Sequence, residues 1–222
     1  LFHPRQGVGW RTGSIWSLVM GTERLDDRRG LDYIGRRYDE EVSYLDSQLG
    51  RLLVELKRLG LLDGTIVLVT ADHGEELHER GYWSHGYTLY EECIHVPLIL
   101  RSPSSPWPAG SVIDDPVSLV DVLPTLLELA GAGGPGGTVD GRSLLSPLSG
   151  RRILSQTRAN APLRFSVIGD RHKYTFFDRG AASANPPDTR QGEWLMANGP
   201  KEEELYDLVS DPAERENLAG RL

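Results

Sequence analysis

A helical run that ends in a β-branched strand, with chemically capable residues directly behind it, constrains this chain more than any other feature. Val42, Leu45, Leu49, Leu52, Leu53 and Leu56 recur at helical spacing from Tyr38 onward, while Asp39, Glu40, Asp46 and Arg51 occupy the other face. Gly60 stands where a helix C-cap belongs. Thr65-Ile66-Val67-Leu68-Val69-Thr70 is then a compact β-branched run that reads as a strand buried on both faces. Helix followed by buried strand is half of an α/β repeat. In open α/β sheets, ligands bind beyond the carboxyl ends of the strands, so the residues after Thr70 carry weight before their chemistry is considered.

Around this unit the chain divides in two. Residues 1–37 lack clear periodicity and read as loops with one short helix. Pro97-Leu98-Ile99-Leu100 is a second short strand, and Ser102–Gly110, rich in proline and serine, is a surface loop. Ser118 and Asp121 precede an apolar run as a helix start, with Pro124 tolerated in the first turn and Gly131 ending the helix. Beyond residue 151 the pattern changes to short strands at Ile153–Thr157, Phe165–Ile168, Lys173–Phe177 and Glu204–Leu208, which favours an antiparallel sheet. Asp211-Pro212-Ala213-Glu214 reads as a helix start, a side-chain cap followed by proline at the first helical position. The expected boundaries are 1–150 for the α/β part and 151–222 for a smaller α+β part.

The segment after Thr70 is Ala71-Asp72-His73-Gly74-Glu75, and four of the chain's six histidines fall between residues 73 and 95. Asp72 and His73 offer an oxygen and an imidazole nitrogen side by side. Neighbours on a strand point to opposite sides, so both reach one ion only if the backbone turns at once, and Gly74 permits that turn. The plainer reading makes Asp72 a cap and His73 an ordinary half-buried histidine. Ser84-His85-Gly86 reads as a tight turn presenting an imidazole. His78, in a charged run, reads as a solvated residue, and His95, just before a strand, as structural. Cys93 reads as a buried, inert thiol in a short helix begun near Thr88. Neither a phosphate loop ending in Lys-Ser/Thr nor a G-x-S-x-G elbow occurs.

Composition excludes other partners. With 24 basic and 32 acidic residues the formal net charge is −8, which disfavours nucleic acid and anionic membranes. It does not disfavour an anionic small substrate, because a bound cation sets the local field. No apolar run approaches the roughly 18–20 residues of a membrane span. One cysteine excludes an internal disulfide framework and leaves the compartment open.

The segment Thr70-Ala71-Asp72-His73-Gly74-Glu75 resembles the metal strand of the sulfatases, in the alkaline-phosphatase-like superfamily. Tyr38-Asp39-Glu40-Glu41-Val42 with Tyr44-Leu45-Asp46 resembles the helix before it. His85-Gly86-Tyr87-Thr88-Leu89-Tyr90-Glu91-Glu92 and Val96-Pro97-Leu98-Ile99 resemble the segment after it. Val117–Leu126, Asp140-Gly141-Arg142-Ser143-Leu144, and Glu204-Leu205-Tyr206-Asp207-Leu208 with Asp211-Pro212, Glu214 and Asn217-Leu218 fit later landmarks in order. The resemblance covers about residues 33–222. It implies an α/β fold, part of an alkaline-phosphatase-like mixed sheet flanked by helices, followed by a small α+β C-terminal subdomain with a short antiparallel sheet.

The resemblance further implies sulfuric ester hydrolysis, with a divalent cation held partly by Asp72 and His73 and with His85 contacting the sulfate and assisting catalysis. Calcium is the expected ion; the histidine makes manganese or zinc alternatives, since calcium prefers oxygen ligands. The expected substrate is a small-molecule or glycan sulfate ester. Trp83, Tyr87, Trp107 and Trp194 are candidate pocket aromatics. The family's nucleophile is a formylglycine matured from a C/S-x-P-x-R motif, and that motif does not occur here. The chain opens Leu1-Phe2-His3-Pro4 without an initiator methionine or a signal pattern. The expectation is therefore a C-terminal portion, inactive by itself, whose formylglycine and remaining metal ligands lie upstream. Two alternatives stand beside the sulfatase reading: a phosphonate or phosphate-ester hydrolase or phosphoethanolamine-type transferase, and a non-catalytic binding pseudo-enzyme.

Overall fold

The computed structural model describes residues 28–81, 83–134, 137–157, 163–177 and 203–221. Helix α1 spans Arg28–Arg58 and so begins well before Tyr38, inside the region expected to be mostly loop. Leu31 and Ile34 continue the stripe toward Tyr38 at helical spacing, and the glycines at 30 and 35 hid it. The helix ends as expected. Gly60 adopts φ +70°, the Gly60 N–H donates to Lys57 O (3.0 Å) and the Leu61 N–H to Leu56 O (2.9 Å), a left-handed cap that uses the last free carbonyls.

Strand β1 (Val67–Thr70) runs antiparallel to β4 (Leu98–Arg101), with Val67 opposite Arg101 and Thr70 opposite Leu98. The expectation that β1 is buried on both faces fails: Val67, Leu68 and Val69 are half-buried and Thr70 is exposed. Among the described residues β1 pairs with β4 and no other strand, so its second edge is open. Helix α1 likewise leaves its apolar stripe uncovered, with Leu45 57% and Leu52 55% exposed.

Between β1 and β4 lie a two-residue hairpin, β2 (Glu76–Leu77) with β3 (Trp83–Ser84), and the single-turn helix α2 (Glu91–Ile94). After β4, the Ser118–Asp121 box forms as the sequence suggests. The Asp121 carboxylate accepts the Ser118 N–H at 3.0 Å ahead of a 3₁₀ turn (Leu119–Asp121) and helix α3 (Val122–Leu129). Gly131, at φ +64°, ends that helix. The fully buried Asp121 also accepts from the Arg142 N–H (2.9 Å) and Arg151 Nη2 (2.7 Å), tying residues 140–151 to the start of α3.

Strands β5 (Ile153–Thr157), β6 (Arg164–Ile168), β7 (His172–Phe177) and β8 (Glu203–Asp207) form one antiparallel sheet in chain order, as the spacing predicts. The helix expected after Asp211 does not form. The Asp211 carboxylate does cap, accepting the N–H groups of Arg215 and Glu216 at 2.8 Å, but Glu214 turns into the left-handed region at φ +50° and the chain leaves the helical path. The tail is instead laced onto β8: the Leu218 N–H donates to Leu205 O (2.8 Å), and Asn217 Oδ1 accepts from the Leu205 N–H (3.0 Å). No helix among the described residues is long and apolar enough to cross a membrane.

Candidate functional site

The chain bends at Asp72, two residues beyond β1, and Gly74 follows in close contact with α2. The Gly74 N–H donates to Cys93 O at 2.8 Å, and a Cβ at this position would lie 2.1 Å from Glu92 O. Helix α2 therefore presses directly on the residue following His73, and only glycine fits there.

His73 is oriented by its own neighbours. Its Nδ1 lies 2.8 Å from Gly74 O, which makes Nδ1 the N–H donor and leaves the Nε2 lone pair free to bind an ion. That Nε2 stands 3.7 Å from Asp72 Oδ2, and the other Asp72 oxygen accepts the His73 N–H at 3.1 Å. Asp72 and His73 thus present an oxygen and a nitrogen to one point in space, on the solvent side. This donor pair suits a divalent cation.

His85 is brought to the same place from β3. Its ring stacks on that of His73 with centroids 3.7 Å apart and planes 25° from parallel. Glu75 Oε2 lies 3.0 Å from His85 Nδ1, so the carboxylate accepts from that nitrogen and leaves Nε2 turned away from it. The donor atoms of His73, Glu75 and His85 all fall within 4.8 Å of one another. His73, Glu75 and His85 therefore form the cluster, and Asp72 stands at its edge, joined to it through His73. Glu75 is the participant to which the sequence pattern assigned no role; its adjacency to Asp72-His73-Gly74 was the available signal.

The remaining histidines differ from expectation. His78 is half-buried at φ +79° with its ring 5.5 Å from that of Trp83, so it packs rather than faces solvent. His95 is largely exposed, its Nδ1 3.3 Å from Glu91 across one helical turn, where a structural role was expected. Trp83 and Tyr87 are buried in the core and Trp107 lies on the loop after β4, while Trp194 lies outside the described residues. Cys93 is buried as expected. Its surroundings push the thiol up to about 11, chiefly through burial, so it is not a nucleophile at neutral pH.

Beneath the turn the electrostatics are unusual. Glu76 is completely buried, with one oxygen accepting the Arg80 N–H at 2.9 Å and the other, Oε2, lacking a hydrogen-bond partner. Burial raises its carboxyl to about 7, and the nearby Glu92 charge adds to the effect.

The sulfatase family profile matches residues 22–132. The chain belongs to the sulfatase family. It is 34% identical over 178 residues to arylsulfatase K of Mus musculus, covering 78% of this chain and 30% of that protein. A solved structure in complex with its substrate D-glucosamine-2-N,6-O-disulfate superposes with a TM-score of 0.64 at 28% identity, covering 81% of this chain and 35% of that one. The phosphonate monoester hydrolase of Agrobacterium radiobacter superposes with a TM-score of 0.66 at 26% identity, covering 86% and 38%. The chain spans about a third of the length of the relatives it matches.

Proposed function

We propose that these residues serve the hydrolysis of sulfate esters, with Asp72 and His73 holding a divalent cation and His85 contacting the sulfate group. The observation that carries this reading is the assembly itself: His73 Nε2 and Asp72 Oδ2 at 3.7 Å, with the His85 ring stacked against His73 and fixed by Glu75. Bound there, the cation supplies charge stabilisation to the sulfuryl oxygens. Calcium is the ion we assign, with manganese and zinc as the alternatives that the imidazole ligand brings in. His85 donates a hydrogen bond to a sulfate oxygen or to the departing ester oxygen. The nucleophile, a formylglycine in this reading, is not among the residues of this chain, which has no C/S-x-P-x-R motif.

A glycan sulfate ester is the substrate class we favour, because a neighbour of the same fold is solved with a glucosamine disulfate. The same reading assigns residues 1–150 to the later part of an alkaline-phosphatase-like catalytic unit with a mixed sheet, and residues 151–222 to a small C-terminal subdomain. A second reading, phosphonate monoester hydrolysis, is favoured by the Agrobacterium neighbour. The test assays the product of the complete reading frame on aryl sulfate and aryl phosphonate esters. Asp72→Ala and His85→Ala are each expected to lower kcat/KM for the sulfate ester by about 100-fold or more. Full activity in either variant contradicts the site, and higher kcat/KM on the phosphonate replaces the first reading with the second.

A further inference from the structure

Lys173, Glu214 and Glu76 are completely buried charged side chains, and none takes part in the site chemistry described above. Two of them meet each other. Lys173 Nζ, on β7, lies 2.8 Å from Glu214 Oε1 and 3.0 Å from Glu91 Oε1. The second Glu214 oxygen accepts the Glu91 N–H at 2.7 Å, so this side chain holds the first residue of α2. The Glu214 and Ala213 carbonyls accept from the Arg80 guanidinium at 3.0 and 2.8 Å. Arg80 lies over the Tyr90 ring at 3.5 Å, with Glu92 Oε1 3.2 Å from Nη2.

Both ends of the site loop depend on these contacts. Through α2 the chain of contacts reaches Gly74, whose N–H is held by Cys93 O and whose Cα abuts Glu92 O, and Gly74 O fixes the His73 ring. Through Arg80 it reaches Glu76, the neighbour of the Glu75 that holds His85. A third tie comes from β5, where the Thr157 hydroxyl donates to Gly86 O beside His85. Glu214 also keeps a left-handed backbone, φ +50°, at a non-glycine position, a strained conformation that persists where the surroundings over-determine it.

We propose that Glu214, together with Lys173, is a positioning residue for the candidate site. From the C-terminal sheet, Glu214 clamps α2 and Arg80, and so sets the facing of His73 and His85. Its functional meaning rests on the sulfatase reading, but its geometry does not. The stacked rings give it a signature independent of turnover. In the unaltered chain, the Cε1–H signals of His73 and His85 are expected to be displaced by mutual ring currents from that of the exposed His95. In Glu214→Ala they should collapse toward the His95 position while circular dichroism remains that of a folded chain. Glu214→Gln, which can still accept the Glu91 N–H, should retain most of the displacement; Glu216→Ala, at an exposed pair with Arg221, should change nothing.

If Glu214→Ala does not fold, Lys173→Met carries the same measurement, with partial collapse expected. Unchanged histidine signals in a folded Glu214→Ala, or in Lys173→Met where the alanine variant does not fold, overturn the proposal. So does an unaltered chain whose His73 and His85 signals show no displacement. Absence of sulfate ester hydrolysis by the product of the complete reading frame, with the signals behaving as stated, overturns the proposed function and leaves the positioning role standing.

Discussion

Helix α1 and the β5–β8 sheet treat their side chains in opposite ways. The helix has a regular apolar stripe and leaves it open, with Leu45, Leu52 and Val54 more than half exposed. The sheet buries Arg164, Ser166, Lys173 and Glu204 on one face, while Leu154 on β5 is 72% exposed and the Phe165–Phe176 stack occupies the other face. The reason lies in what each surface meets. The polar face of the sheet receives Tyr90, Glu91 and the Arg80 loop, whose carboxylates and guanidinium need partners once water is removed. In this chain, the site-bearing segment is tied to the C-terminal sheet by polar connections, and the helix contributes its backbone continuity to β1.

The largest expected break in this contrast is Lys173→Met. It strands the buried Glu214 carboxylate and should cost about 3–5 kcal/mol in urea unfolding. Gly74→Ala comes next. Its Cβ would meet Glu92 O at 2.1 Å, so α2 must shift, and a loss of about 1–3 kcal/mol is expected, with the His73 ring displaced.

A titration sharpens the same comparison. Glu76 binds its proton more tightly folded, at about 7, than at its ordinary value of 4.5, so the folded state holds more protons between those limits. Stability should fall as pH rises through that window, and Glu76→Gln should abolish the slope and be the more stable form on its alkaline side. Asp207 in the sheet works in the opposite sense. The Arg171 guanidinium holds its carboxyl well below the ordinary 3.8, so its contribution is present above that value and is lost as pH falls below it. The smallest effect belongs to the open helix: Leu52→Gln should change the stability of this chain by no more than about 0.5 kcal/mol.

Much of this was legible in the residues. The Gly60 cap, the Ser118–Asp121 box and the four C-terminal strands are local signals, set by backbone conformation and spacing. The Asp72-His73-Gly74 turn could be read because a strand end, two ligand types and a glycine coincide in sequence. Partnership across distance could not. Nothing local marks Glu214 as the partner of Lys173 and Glu91, since the three are separated by long stretches of chain and alternation rules expect apolar residues on a sheet's buried face. Asp211-Pro212 misled for a related reason: its capping chemistry is real, but the burial of Glu214 diverts the backbone before a helical turn can close.

In the proposed function, Asp72 and His73 hold a divalent cation that sulfate ester hydrolysis requires. The direct measurement is aryl sulfate hydrolysis by the complete reading frame's product after chelation with EDTA, and again after adding calcium, manganese or zinc. Chelation is expected to abolish turnover, calcium to restore it best, and Asp72→Ala to recover far less at the same calcium concentration. Turnover undiminished by chelation, or equal restoration of Asp72→Ala and the unaltered protein, would contradict that assignment.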